Sequence, residues 1–95
     1  MEEKIMTLHP AGKRGVSISR HKYDRVREAI LAAIRARGGE IPFKDLADAV
    51  GQRLEGRFDG SVGWYTTTVK LDLEARGLIE RVSGSGPQHL RLVRG

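Results

Sequence analysis

Ninety-five residues, 39% hydrophobic and 31% charged, suit one small soluble domain with a single core and are too few for two independent cores. Zero cysteines exclude a disulfide, a thiolate metal site and a cysteine nucleophile, so stability must come from packing. The net charge of +5 favours a polyanionic partner, the alternative being that it serves only solubility, and no apolar run reaches the roughly 18 residues of a membrane span.

The charge is unevenly spread. Residues 1–27 carry seven bases and three acids (+4), residues 28–80 seven bases and nine acids (−2), and residues 81–95 three arginines and no acid (+3). The opening MEEKIMTLHP has acids where a signal peptide would have bases, so the expected location is the cytoplasm, with no membrane partner.

In chain order, KIMTLHPAGKRGVSI alternates short apolar pieces with Pro10, Gly12 and Gly15, which predicts an extended arm with a turn and a short strand over residues 1–18. Ser19 offers an N-cap to a first helix whose apolar stripe is Tyr23, Val26, Ile30, Ala33 and Ile34, ending at Gly38-Gly39. Ile41 supplies a very short strand. Pro42 suits a helix's first turn, and Phe43, Leu46, Ala47, Val50 and Leu54 form the stripe of a second helix that stops near Glu55-Gly56. The connection GRFDGS leads to a third helix, capped by Asp59 or Ser61 and running to about Arg76 before Gly77. Leu78–Val82 and His89–Val93 then read as two strands around the turn SGSGPQ.

Helix, short strand, helix, helix, strand, turn, strand is the winged-helix order, and LEARGLIER followed by a glycine-rich turn resembles the end of a recognition helix running into the first wing strand. With HPAGKRGVSIS ahead of RFDGSVGWYTTTVKLDLEARGLIERV, the chain resembles a small uncharacterised bacterial family of stand-alone winged-helix proteins. The resemblance implies an α+β winged helix-turn-helix over residues 19–95, with three helices, a small antiparallel sheet and a basic N-terminal arm. By analogy with winged-helix regulators it also implies DNA binding, and it turns Thr67, Thr68, Leu71 and Asp72 toward the major groove.

Helical spacing puts Val62, Thr66, Val69 and Leu73 on the core side of helix three. The opposite side carries Trp64, Thr68, Leu71 and Ala75, a second apolar stripe where base-reading Arg, Asn or Gln would be wanted. Residues 61–80 sum to −1, so phosphate contacts must come from neighbouring segments. The expected DNA contacts are therefore Lys13 and Arg14 in the arm, Thr67, Thr68 and Lys70 on the helix, and Arg81, His89, Arg91 and Arg94 in the wing. The alternative for these cations is a solvated surface. Trp64, Leu71 and Ala75 are either covered by Ile5, Met6 and Leu8 of the arm or form an interface with a second copy or another protein.

HPAGKRG brings two glycines next to two cations, a plausible anion-binding turn, but lacks the spacing and terminal Lys-Ser/Thr of a P-loop. His9, His21 and His89 stand at no metal-ligand spacing, and no nucleophile, base and orienter recur together. The sequence thus predicts no enzyme and no cofactor. The leading expectation is a winged-helix DNA-binding protein, a regulator contacting DNA by arm and wing; the alternative is a protein-interaction module without DNA readout.

Overall fold

Ser19 and Ser61 mark the two places where a side-chain hydroxyl starts a helix. The computed structural model describes residues 3–82 and 88–93; Arg94, expected among the DNA contacts, and most of the SGSGPQ turn lie outside them. The elements run β1 (Lys4–Met6), β2 (Ser17–Ser19), α1 (Arg20–Ala36), β3 (Glu40–Pro42), α2 (Phe43–Leu54), α3 (Val62–Ala75), β4 (Ile79–Val82) and β5 (His89–Leu92). The result is an α+β domain of three helices and two small antiparallel sheets among the described residues.

The Ser19 hydroxyl accepts from the Lys22 amide, and α1 then buries Tyr23, Val26, Ala29, Ile30, Ala33 and Ile34. Its end is the expected glycine pair: Gly38 and Gly39 take φ of 81° and 103°, and the Gly39 amide donates to the Ile34 carbonyl. Pro42 closes β3 and serves as N-cap of α2, where its missing N–H costs no hydrogen bond. Of the two candidate caps for α3, Ser61 is the one used, its hydroxyl accepting from the Trp64 amide. Ser61→Ala is expected to cost about 1 kcal/mol, read as a lower urea midpoint at unchanged slope.

The core gathers Val26, Ile30 and Ile34 of α1, Leu46 and Val50 of α2, Val69 and Leu73 of α3, and Ile41, Ile79 and Leu90 from the sheet. The larger sheet has the order β3-β5-β4, so the last strand is its centre. β5 pairs with β3 through Ile41↔Leu90 and with β4 through Arg81↔Leu90 and Glu80↔Arg91. Burial of Leu90 and Ile79 on one face holds that register, since a one-residue slip would turn both to solvent.

The arm is more structured than an extended segment. β1 and β2 form a hairpin with Ile5 opposite Ile18, and Ile18 enters the core while Ile5 packs against it. The Thr7 amide donates to the Val16 carbonyl, and the Val16 amide donates to Thr7 Oγ1. At the tip, the Gly12 amide donates to the His9 carbonyl with Gly12 at φ 75°, and the Ala11 amide donates to His9 Nδ1.

Candidate functional site

The arm hairpin lies beside α3 and is fixed there by one carboxylate. Asp72 is fully buried; its Oδ1 accepts from the Leu8 amide at 2.9 Å, and its Oδ2 accepts from the Tyr23 hydroxyl and, at 2.8 Å, from Arg76 Nε. Arm, α1 and α3 thus meet at one side chain. Burial, with the Asp72 hydrogen bond second, pushes the Tyr23 phenol up to about 12, because ionising it would place a charge away from water beside a carboxylate. The Asp72 hydrogen bond also raises the Arg76 guanidinium pKa.

This geometry corrects two expectations for α3. Asp72 does not point toward a groove: the arm covers its side of the helix and supplies the Leu8 N–H. Lys70, expected among the DNA contacts, is 4% exposed and faces inward. Its ammonium lies 3.1 Å from Glu74 Oε2, donates to Gln88 Oε1 and sits 5.0 Å from the Phe43 ring centroid. That cation links α3 to the start of α2 and of β5 and is not available to a phosphate.

The basic residues expected in the wing are engaged as well. Arg91 sets both Nε and Nη2 on Glu80 Oε1, at 2.8 and 2.7 Å. His89 Nδ1 lies 3.3 Å from Glu40 Oε2, and Arg81 Nε 3.9 Å from Glu74 Oε1. The Arg91–Glu80 and His89–Glu40 pairs are half-exposed and of small energetic value, while Arg81 reaches a largely buried Glu74, so each of the three side chains already faces a carboxylate. Lys13 and Arg14 differ: both are exposed at the arm tip and carry no ion pair among the described residues.

Between hairpin and helix runs a cleft of about 160 Å³ lined by Thr7, Leu8, His9, Arg14, Gly15, Val16, Trp64, Thr68 and Leu71. The arm therefore flanks the second apolar stripe of α3 without covering it. Trp64 remains 47% exposed and Leu8 44%, while Leu71 and Ala75 are half-buried and Thr67 is exposed. The indole is nonetheless held in place, edge-on to Tyr65 at 4.9 Å, with Tyr65 in turn edge-on to Phe58 at 5.0 Å. Lys22 lies 5.5 Å from the Tyr65 centroid.

A model of DUF6958, a family of unknown function, matches residues 4–90. The chain belongs to that family. The matched span begins at β1, so in DUF6958 the hairpin, the Asp72 contact and the cleft all fall within the family's own extent. No curated protein and no solved structure matches the chain. Among the described residues of this DUF6958 member, no helix is long and apolar enough to cross a membrane, and no three His, Asp or Glu side chains are grouped to hold a metal ion.

The structure thus brings Arg14, Thr68, Trp64 and Leu71 to one cleft, and sends Arg81, His89 and Arg91 to carboxylates and Lys70 to the interior. Sequence reasoning missed Asp72 as the residue joining the arm to the helices. Asp72-Arg76 and Lys70-Glu74 are both spaced i,i+4, the spacing at which helical side chains meet, and that spacing was the signal available in the sequence.

Proposed function

We propose that the chain is a winged-helix module that binds duplex DNA through the tip of its arm and the exposed side of α3, with the wing contributing little. The order of helices, the three-stranded sheet β3-β5-β4 and the hairpin following α3 are what a winged-helix domain requires. The observation that carries the reading is the arm tip, where Lys13 and Arg14 are exposed with no ion pair among the described residues and Arg14 shares a cleft with Thr68, with Thr67 exposed next to it and no carboxylate lining the cleft. Cations and hydroxyls of this kind position a protein on phosphates and carry little base readout. The reading therefore describes weakly sequence-selective binding.

The test is fluorescence anisotropy of a labelled duplex of mixed sequence over a range of salt. Neutralising Lys13 and Arg14 together should flatten the dependence of log affinity on log salt by about 2, at roughly 0.9 for each phosphate no longer neutralised. Neutralising Arg81 and Arg91 should change it less, because their charges already face Glu74 and Glu80. Equal affinity of the parent and the Lys13, Arg14 variant overturns the reading.

The exposure of Trp64 beside Leu8 and Val16 favours a second reading, a protein interface or homodimer using Trp64, Leu71 and Ala75. Sedimentation across concentrations separates the two, since a dimer formed on this face would be lost in Trp64→Ser.

A further inference from the structure

The cleft between the hairpin and α3 has a floor and a rim of different chemistry. Leu8, Val16, Trp64 and Leu71 supply apolar walls from two separate elements. The polar lining is donor-rich. Arg14 brings a guanidinium with no ion pair among the described residues, and Thr68 brings a hydroxyl. His9 accepts from the Ala11 amide at Nδ1, which leaves Nε2 to carry the proton of the neutral ring. No carboxylate is among the lining residues, and both oxygens of nearby Asp72 are engaged by Leu8, Tyr23 and Arg76. The walls are fixed in advance: Thr7 and Val16 exchange hydrogen bonds across the hairpin, Leu8 is tied to Asp72, and Trp64 rests on Tyr65. At about 160 Å³ the space is below the roughly 300–1,000 Å³ of ordinary ligand pockets, which restricts the ligand to a small molecule.

We infer that this cleft is a binding site for a small free carboxylate with a compact apolar body, about the size of one ring. The ring lies against Trp64, Leu71, Leu8 and Val16, and the carboxylate faces Arg14, whose planar fork suits two parallel hydrogen bonds. The site shares Arg14 and Thr68 with the proposed DNA-binding surface but adds the apolar walls, so a titration without DNA tests it apart from duplex binding.

Trp64 is the only tryptophan and lines the cleft, so its emission reports occupancy directly. The intact protein is titrated with benzoate, cyclohexanecarboxylate and the neutral isostere benzamide, and amide NMR shifts of Leu8 and Val16 provide a second readout. Both carboxylates are expected to give saturable changes in both signals. Benzamide and the Arg14→Gln variant should each bind about tenfold or more weakly, the effect of removing one charge-assisted hydrogen-bonded pair. Arg53→Gln, which removes the same charge from α2 away from the cleft, should bind like the parent. Benzamide binding as well as benzoate, equal binding by Arg14→Gln, no saturable change with either carboxylate, or saturation by an acidic peptide alone would each overturn the assignment.

Discussion

Asp72→Ala is expected to lower the unfolding free energy by about 3 kcal/mol. The figure follows from what is left behind. The Leu8 amide and the Tyr23 hydroxyl lose their acceptor in a site with little access to water, each at roughly 1–3 kcal/mol, whereas Arg76 is one-third exposed and can turn to solvent. The loss should appear in urea unfolding followed by circular dichroism, and Asp72→Asn, which keeps one acceptor oxygen, should lose less. A variant as stable as the parent would mean that the arm is held by its apolar contacts alone.

The same cluster sets a dependence on alkaline pH. Tyr23 titrates near 10 when unfolded and at about 12 when folded, so folding favours its protonated form. That contribution is fully present below pH 10 and is lost as the pH climbs from 10 to 12, at a worth of roughly 2–3 kcal/mol. Tyr23→Phe should remove this portion of the alkaline decline. Asp72→Ala should only reduce it, because burial is the larger cause and survives the substitution.

Gly15→Ala is expected to undo the hairpin while leaving the helical core folded, at a cost of about 2–3 kcal/mol. A β-carbon at residue 15 would fall 1.7 Å from the Thr7 carbonyl oxygen and 2.6 Å from its carbon, both backbone atoms that no rotamer change can move. The strands must therefore separate, and the Thr7–Val16 pair and the Leu8–Asp72 bond go with them. Native-state hydrogen exchange checks this locally. The Thr7 and Arg20 amides, which donate to Val16 and Glu3, should lose protection while those of α3 and of α1 beyond its first turn keep it. Unchanged protection at Thr7 would show that the hairpin absorbs the methyl by some other movement.

Much of this architecture was legible in the sequence because it rests on local signals. The three apolar stripes, the serine caps and the glycines after α1 and α3 place the helices to within a residue or two, and the Leu90 and Ile79 alternation places the strands. The candidate site was less legible, for a physical reason. A helical wheel assigns Asp72 and Lys70 to faces by angle alone, and a carboxylate on a face away from the core reads as solvated. Asp72 is buried only because residues far along the chain close over it: Leu8 is 64 residues away and Tyr23 49. The arginines of β4 and β5 likewise read as free cations until strand pairing puts Arg91 opposite Glu80. Lys13 and Arg14 kept their expected exposure because a turn tip has nothing packed around it.

The central place of β5 bears on how the protein is made. β3 and β4 share no hydrogen bonds with each other, and both wait for residues 89–92. On the ribosome, the helices and the hairpin can assemble as they emerge, but Ile41 and Ile79 stay without their sheet until β5 has cleared the exit tunnel. From residue 42 until residue 92 the nascent chain therefore carries β3 as an unpaired strand, joined by β4 only after residue 82, the state in which a trailing ribosome's product or a chaperone would meet it. A force-profile measurement on arrested chains of increasing length should accordingly show its main folding event only after residue 92 has emerged.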